Sequence, residues 1–134
     1  SPLAFQGANK FGNIFADMLE PYSKELNTKI TAIAKEQNIL LHEGVYTSVL
    51  GPQLETRAEY RMLQIFETDA VGMSTVPEVI VAKQLNLPCA AISVVTDECD
   101  PKNLQPVAIA AIISIAGEAE PKMITLFKEV IKVI

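Results

Sequence analysis

Stretches in which apolar residues have helical spacing alternate along the chain with stretches typical of extended strands. A first amphipathic helix is predicted from Glu20, with Pro21 in its first turn, to about Gln37, because apolar residues recur there every three to four positions. Asn38 is predicted to end it. The β-branched and aromatic stretch 39–50 then predicts a strand.

Two sequences of the capping-box type predict the next helix starts. TRAE at 56–59 and TVPE at 75–78 both place a hydroxyl three residues before a glutamate. Helices are therefore predicted over 57–66 and 76–85, the second broken by Asn86. The short apolar segment 69–72 between them predicts a buried strand.

The downstream half continues the alternation. The apolar run 88–95 predicts a strand covered on both faces, and an acidic turn follows at 96–101. An apolar helical tract is predicted from Val107 to the C-terminus, kinked or split at Gly117 and Pro121. Strands alternating with helices predict an α/β fold, with residues 1–134 forming a single unit.

Composition excludes several classes of function. The chain has 134 residues, 49% of them hydrophobic, which suffices for a core, and its net charge of -5 argues against nucleic-acid binding. The apolar run 107–116 is too short to cross a membrane, and the N-terminus lacks a signal-peptide pattern, so a cytoplasmic location is expected. Cys89, Cys99 and His42 have no metal-site spacing, so neither zinc nor a disulfide is expected.

Candidate chemistry lies in three loops, 51–55, 72–75 and 96–100, because ligands of α/β folds bind beyond the carboxyl ends of strands. Ser74 and Thr75 open a helix, where they either favour an anion such as phosphate or act only as caps. Glu55 either points into a cleft, toward a heterocyclic N–H, or only favours the following helix start.

The acidic loop offers a proton donor. Asp97 directly follows the predicted strand, and crowding by Glu98 and Asp100 would raise one carboxyl pKa. The alternative is an Asx turn, which accounts for Asp100 better than for Asp97. His42 is expected to be a half-buried strand residue rather than a catalyst.

At this point the chain resembles a known family, the trimeric-type purine nucleoside phosphorylases and their methylthioadenosine phosphorylase relatives. The matching sequences are EGVY at 43–46, GP at 51–52 followed by ET at 55–56, DAVGMSTVPEV at 69–79 and SVVTD at 93–97. The resemblance extends over most of 10–134, and the run 72–79 is highly specific.

The resemblance implies a role for each matched residue. Glu55 would hold the edge of the purine ring, and Met73, beside Gly72, would pack near ribose and base. Tyr46 would contact the sugar. Ser74 would bind phosphate, in agreement with its place at a helix start. The resemblance also implies reversible phosphorolysis of purine nucleosides, without a metal or cofactor and with inorganic phosphate as co-substrate. The implied assembly is a homotrimer.

Two positions depart from the commonest family pattern. Leu54 replaces the aromatic residue that usually stacks on the base, so packing there would be aliphatic. Asp97 replaces the Asn of 6-oxopurine enzymes and matches 6-aminopurine relatives, whereas Glu55 is the 6-oxopurine form. The preferred base is therefore left open between the two classes.

The resemblance covers only the C-terminal half of such an enzyme, so part of a mixed sheet flanked by helices is expected. The family's glycine loop and its Arg and His phosphate ligands have no counterpart in this sequence. The leading hypothesis is therefore a fragment of a purine nucleoside phosphorylase. The alternatives are a non-catalytic nucleoside-binding or assembly module, and an unrelated α/β protein that shares two capping boxes by chance.

Overall fold

The computed structural model describes residues 1–134 and contains four α-helices and two short strands. The elements, in chain order after a 3-10 helix at Ala8–Phe11, are α1 Lys24–Glu36, β1 Tyr46–Ser48, α2 Arg57–Ile65, β2 Ala70–Gly72, α3 Val76–Gln84 and α4 Ile109–Ile131. The predicted α/β class is confirmed. None of the helices combines the length and apolar character that a membrane crossing requires.

The two strands form a parallel pair, in which Tyr46 lies beside Ala70 and Ser48 beside Gly72. Helix α2 connects them, so 46–72 is a β-α-β unit. Both strands therefore end at the same edge, and the loops after Ser48 and Gly72 leave from that edge. β2 is half-buried rather than buried.

The predicted strands over 39–50 and 88–95 are wrong except at β1. Segment 88–95 forms no regular strand, and 39–45 has no ladder partner. A strand needs a hydrogen-bonding neighbour for its backbone, and an apolar pattern alone does not supply one. Both segments instead pack apolar side chains on the core, namely Ile39, Leu41, Ala90 and Ile92.

Helices α1, α2 and α3 end in the same way. A residue with positive φ follows each helix, at Asn38 (54°), Glu67 (57°) and Asn86 (55°). The next amide donates back to a carbonyl of the last turn, as in Ile39 N to Ala34 O at 2.8 Å and Leu87 N to Ala82 O at 2.9 Å. The predicted asparagine stops are confirmed, because Asn tolerates the left-handed conformation.

The starts of the helices agree less well with the predictions. α1 begins at Lys24 rather than Glu20, because Ser23 caps it by accepting from Leu26 N at 3.2 Å. Pro21 therefore precedes the helix. Thr56 and Glu59 form the predicted capping box at the start of α2.

Helix α4 begins at Ile109 and continues through Gly117 and Pro121, so the predicted split is wrong. Pro121 cannot donate to the Gly117 carbonyl, a loss that usually costs about 3 kcal/mol in a helix interior. Farther along the same helix, Leu126 and Val130 are buried against Ile30, Ile33 and Ala34 of α1. This packing favours a continuous helix.

Much of the apolar surface remains uncovered. The accessible surface is 9945 Å², against about 6,900 Å² expected for a compact monomer of 14.6 kDa. The N-terminal half of α4 contributes Ile109 and Ile113, both more than 60% exposed. The five-residue core between α1 and α4 is small for a chain of this length.

Candidate functional site

An open cleft of about 1030 Å³ lies beside β2 and the loop that follows it. Its walls are formed by the loop before α2, the carboxyl end of β2 and the segment 92–100. All seven sequence-predicted site residues line this cleft: Tyr46, Leu54, Glu55, Gly72, Met73, Ser74 and Asp97. The fold therefore brings residues from four separate stretches of the sequence to one place.

Glu55 is held from within the chain. It lies one residue before the Thr56 cap, and its Oε2 accepts a hydrogen bond of 2.8 Å from the Tyr60 hydroxyl. Burial of the Tyr60 ring, followed by its contacts with Cys99 and Glu55, raises the pKa of the phenol above its ordinary value of 10.0. The phenol therefore stays a proton donor across the physiological range.

Asp97 is exposed and accepts two hydrogen bonds. Thr96 Oγ1 donates to Oδ1 at 3.1 Å, and Cys99 Sγ donates to Oδ2 at 3.3 Å. Burial raises the pKa of the Cys99 thiol, so it remains a protonated donor. Asp100 forms the predicted Asx turn, because its Oδ1 accepts from Lys102 N at 2.9 Å. Asp97 and Asp100 thus differ in their hydrogen-bond partners.

The predicted second capping box is wrong. Thr75 has φ 72° and ψ -59°, and its side chain makes no capping hydrogen bond. Val76 N donates to Ser74 O at 2.8 Å, which closes a classic γ-turn centred on Thr75. A cap needs extended backbone to aim its oxygen at the first amides, and this turn does not provide it.

The γ-turn shapes the start of α3. A positive φ at a β-branched residue is strained, and such strain concentrates at functional sites. The amides of Ser74, Thr75 and Glu78 donate to no acceptor within the chain, whereas Pro77 has no amide hydrogen. Together with the Ser74 hydroxyl, these amides could hold an anion at the mouth of the cleft.

Two glycines permit close approaches at the cleft. A methyl group on Gly72 would overlap the Tyr46 hydroxyl, and one on Gly51 would overlap the Met73 sulfur. Gly51 also has φ 59°, a conformation that favours glycine. Tyr46 therefore packs against the end of β2, and Met73 packs against the loop that contains Gly51.

The sequence prediction missed three residues that organise the site. Tyr60 and Cys99 contact the two carboxylates, and Arg57 Nη1 donates to Pro101 O at 3.0 Å, which attaches the acidic loop to α2. No motif in the sequence marks these contacts: the bond of Arg57 depends on how α2 packs against the acidic loop, and those of Tyr60 and Cys99 depend on the local conformation of the two loops. His42 is exposed, lies outside β1 and does not line the cleft, so its predicted half-buried strand position is wrong.

Comparison with known proteins agrees with this geometry. The model of the Phosphorylase superfamily matches residues 2–132. The chain is 37% identical to purine nucleoside phosphorylase 1 of Bacillus subtilis, over 98% of this chain and 48% of that protein. It is 38% identical to S-methyl-5'-thioadenosine phosphorylase of Pyrococcus horikoshii, over 85% of this chain and 44% of that protein.

The solved structures show the same partial overlap. Isoform 2 of purine nucleoside phosphorylase from Schistosoma mansoni, in complex with cytosine and ribose-1-phosphate, matches with a TM-score of 0.92 and 32% identity. The alignment covers 98% of this chain and 48% of that one. The chain thus spans about half the length of the relatives it matches, and a chance resemblance is excluded: the chain belongs to the phosphorylase superfamily.

Proposed function

We propose that the protein to which this chain belongs is a purine nucleoside phosphorylase, a pentosyltransferase. It would convert a purine nucleoside and inorganic phosphate reversibly into the free base and ribose 1-phosphate. The observation that carries the proposal is the convergence of all seven predicted residues on one cleft. The relatives named above support the reaction class.

In the proposed reaction a phosphate oxygen attacks the anomeric carbon of the ribose. The bond from that carbon to the base nitrogen breaks, and its electron pair leaves with the purine, which then takes up a proton. The Ser74 hydroxyl and the free amides beside it would bind phosphate, whose charge suits a helix start. Tyr46, which packs against Gly72, and Met73, which packs against Gly51, would contact the sugar.

The carboxylates would act on the base. Glu55 uses Oε2 for Tyr60, which leaves Oε1 to accept a ring N–H of the purine. Asp97, once protonated, would donate to the departing base, and such general acid catalysis typically supplies about 10² to 10⁴-fold in rate. Leu54, 47% exposed at the rim, would offer aliphatic packing to the base.

A methylthioadenosine-type preference for 6-aminopurines is the second candidate. Both Asp97 oxygens accept hydrogen bonds in this structure, so the group is arranged as an acceptor. An acceptor at this position would suit the exocyclic amine of adenine. The thioadenosine phosphorylase relative supports this candidate.

Activity would require more than these 134 residues. The large uncovered apolar surface and the coverage of about half of each relative both support a chain that forms one part of the catalytic domain. The remaining phosphate ligands would come from the other part. A homotrimer, a cytoplasmic location and a reaction without metal or cofactor belong to the same proposal.

The test is phosphate-dependent release of base from inosine, guanosine and adenosine by the full-length protein. Asp97→Ala should lower kcat by about 10²-fold or more, whereas Glu98→Ala, a neighbouring acid without a hydrogen bond in the chain, should keep wild-type turnover. Unchanged turnover in Asp97→Ala would remove Asp97 from the mechanism. Wild-type protein that cleaves no nucleoside would defeat the proposal.

The non-catalytic module is tested on the 134-residue chain alone. Calorimetry with hypoxanthine and with phosphate would show whether this chain binds either one. Binding without turnover would support the module, and phosphorolysis at ordinary rates by this chain would contradict it.

A further inference from the structure

The first turn of α2 is attached to both carboxylate-bearing loops of the cleft. Tyr60 donates to Glu55 at 2.8 Å, and Arg57 donates to the carbonyl of Pro101 at 3.0 Å. Within the second loop Cys99 donates to Asp97 at 3.3 Å. Movement of this turn would therefore displace both acids.

Tyr60 is well placed to hold Glu55. Its side chain is only 8% exposed, and the capping box of Thr56 and Glu59 fixes the start of the helix that carries it. The bond from Tyr60 is the only hydrogen bond that the Glu55 carboxylate makes within the chain. Without this bond, nothing in the chain would fix the rotamer of Glu55.

Tyr60 also lines the same cleft as Cys99, in the loop of the second acid. The Tyr60 hydroxyl and the Cys99 thiol are near enough to perturb each other's pKa. Burial makes both groups poor acids, so each keeps the proton that it donates to its carboxylate. The two donors therefore hold two carboxylates that line the same cleft.

We propose that Tyr60 is a positioning residue for base selection, which orients the Glu55 carboxylate toward purines that carry a ring N–H. The inference rests on the proposed function. A purine with a 6-oxo group carries such an N–H, whereas adenine has a bare acceptor nitrogen at the same position. Loss of the Tyr60 hydroxyl should therefore weaken the binding of 6-oxopurines more than the binding of 6-aminopurines.

The experiment compares Tyr60→Phe with Tyr22→Phe in the full-length protein. Tyr22 is half-buried and lies outside the cleft, so it is a matched control. In Tyr60→Phe the KM for inosine should rise about tenfold, since the lost bond is to a charged group. The KM for phosphate, the KM for adenosine and the Tm should stay near wild type.

Two further measurements separate positioning from a structural role. In a Glu55→Ala background, Tyr60→Phe should have no additional effect on the KM for inosine, because Tyr60 acts through Glu55. Calorimetry with hypoxanthine should show about tenfold weaker binding by Tyr60→Phe, independently of turnover.

Several results would overturn the inference. Unchanged hypoxanthine affinity in Tyr60→Phe would do so, as would additive effects with Glu55→Ala. An equal rise in the KM values for inosine and phosphate together with a lower Tm would show a structural role instead. Wild-type protein that binds hypoxanthine without cleaving inosine would defeat the proposed reaction alone, and protein that does neither would defeat both.

Discussion

Replacing glycine by alanine should have opposite effects at Gly72 and Gly117. Gly72 ends β2 in the cleft, and a methyl group there would overlap the Tyr46 hydroxyl and lie 3.0 Å from its Cζ. Gly117 lies inside α4, where a methyl group would meet nothing within 4 Å. The same chemical change therefore tests packing at one site and helix propensity at the other.

The expected magnitudes follow from these contacts. The Gly72 backbone does not have positive φ, so the cost of Gly72→Ala is steric. Overpacking typically costs about 1–3 kcal/mol, and the Tyr46 ring, as a rigid group on a paired strand, can only swing away as a whole. Gly117→Ala should instead stabilise the helix by about 0.5–1 kcal/mol.

Urea unfolding measures both effects, and the KM for inosine of the full-length protein measures the displacement of Tyr46. If the ring swings away, the stability loss will be small, but the sugar contact will be lost and the KM will rise. In a Tyr46→Phe background, which removes the overlapping oxygen, Gly72→Ala should cost less. If Gly72→Ala leaves both stability and KM unchanged, the packing argument is wrong.

Three further predictions concern stability. Hydrogen bonds from the Thr56 backbone and hydroxyl lower the pKa of Glu59 below its ordinary value of 4.5, so its stabilisation is complete above that pH and is lost as the pH falls through the lowered value. Urea unfolding at falling pH should therefore show a smaller loss in Glu59→Gln than in wild type, and equal losses would contradict this. Thr75→Gly should raise the free energy of unfolding by about 1 kcal/mol by relieving the positive φ, and a lower Tm would refute the strain. Leu126→Ala should lower the free energy of unfolding by about 3 kcal/mol, because Leu126 is buried. Ile113→Ala, at an exposed position, should change this free energy little. Equal losses in the two variants would show that Ile113 is covered.

Local sequence patterns predicted the helix starts and ends correctly where hydrogen bonds within one turn decide them. The capping box at Thr56 and the stops at Asn38 and Asn86 depend on hydrogen bonds within a few residues, so their sequence patterns predicted them. The same pattern failed at Thr75, because a strained turn replaced the extended backbone that a cap needs.

The candidate site divides in the same way. The motifs at 51–56, 69–79 and 93–97 predicted the residues that line the cleft, because each motif belongs to a recognisable family. The hydrogen bonds of Tyr60, Cys99 and Arg57 to those loops were not predictable. The bond from Arg57 to Pro101 joins residues 44 apart along the chain, a separation that no local pattern reports. The bonds of Tyr60 and Cys99 span only five and two residues, but they depend on side-chain rotamers that the spacing of apolar and polar residues does not set.

The α/β class, most of the helices and the seven residues that line the cleft follow from patterns in the amino-acid sequence. The packing of distant elements decided which extended segments pair, whether α4 stays continuous and how the loop of Asp97 is attached to α2. Strand pairing and the bond from Arg57 to Pro101 are long-range, and their free energy depends on neighbours that only the folded chain brings together.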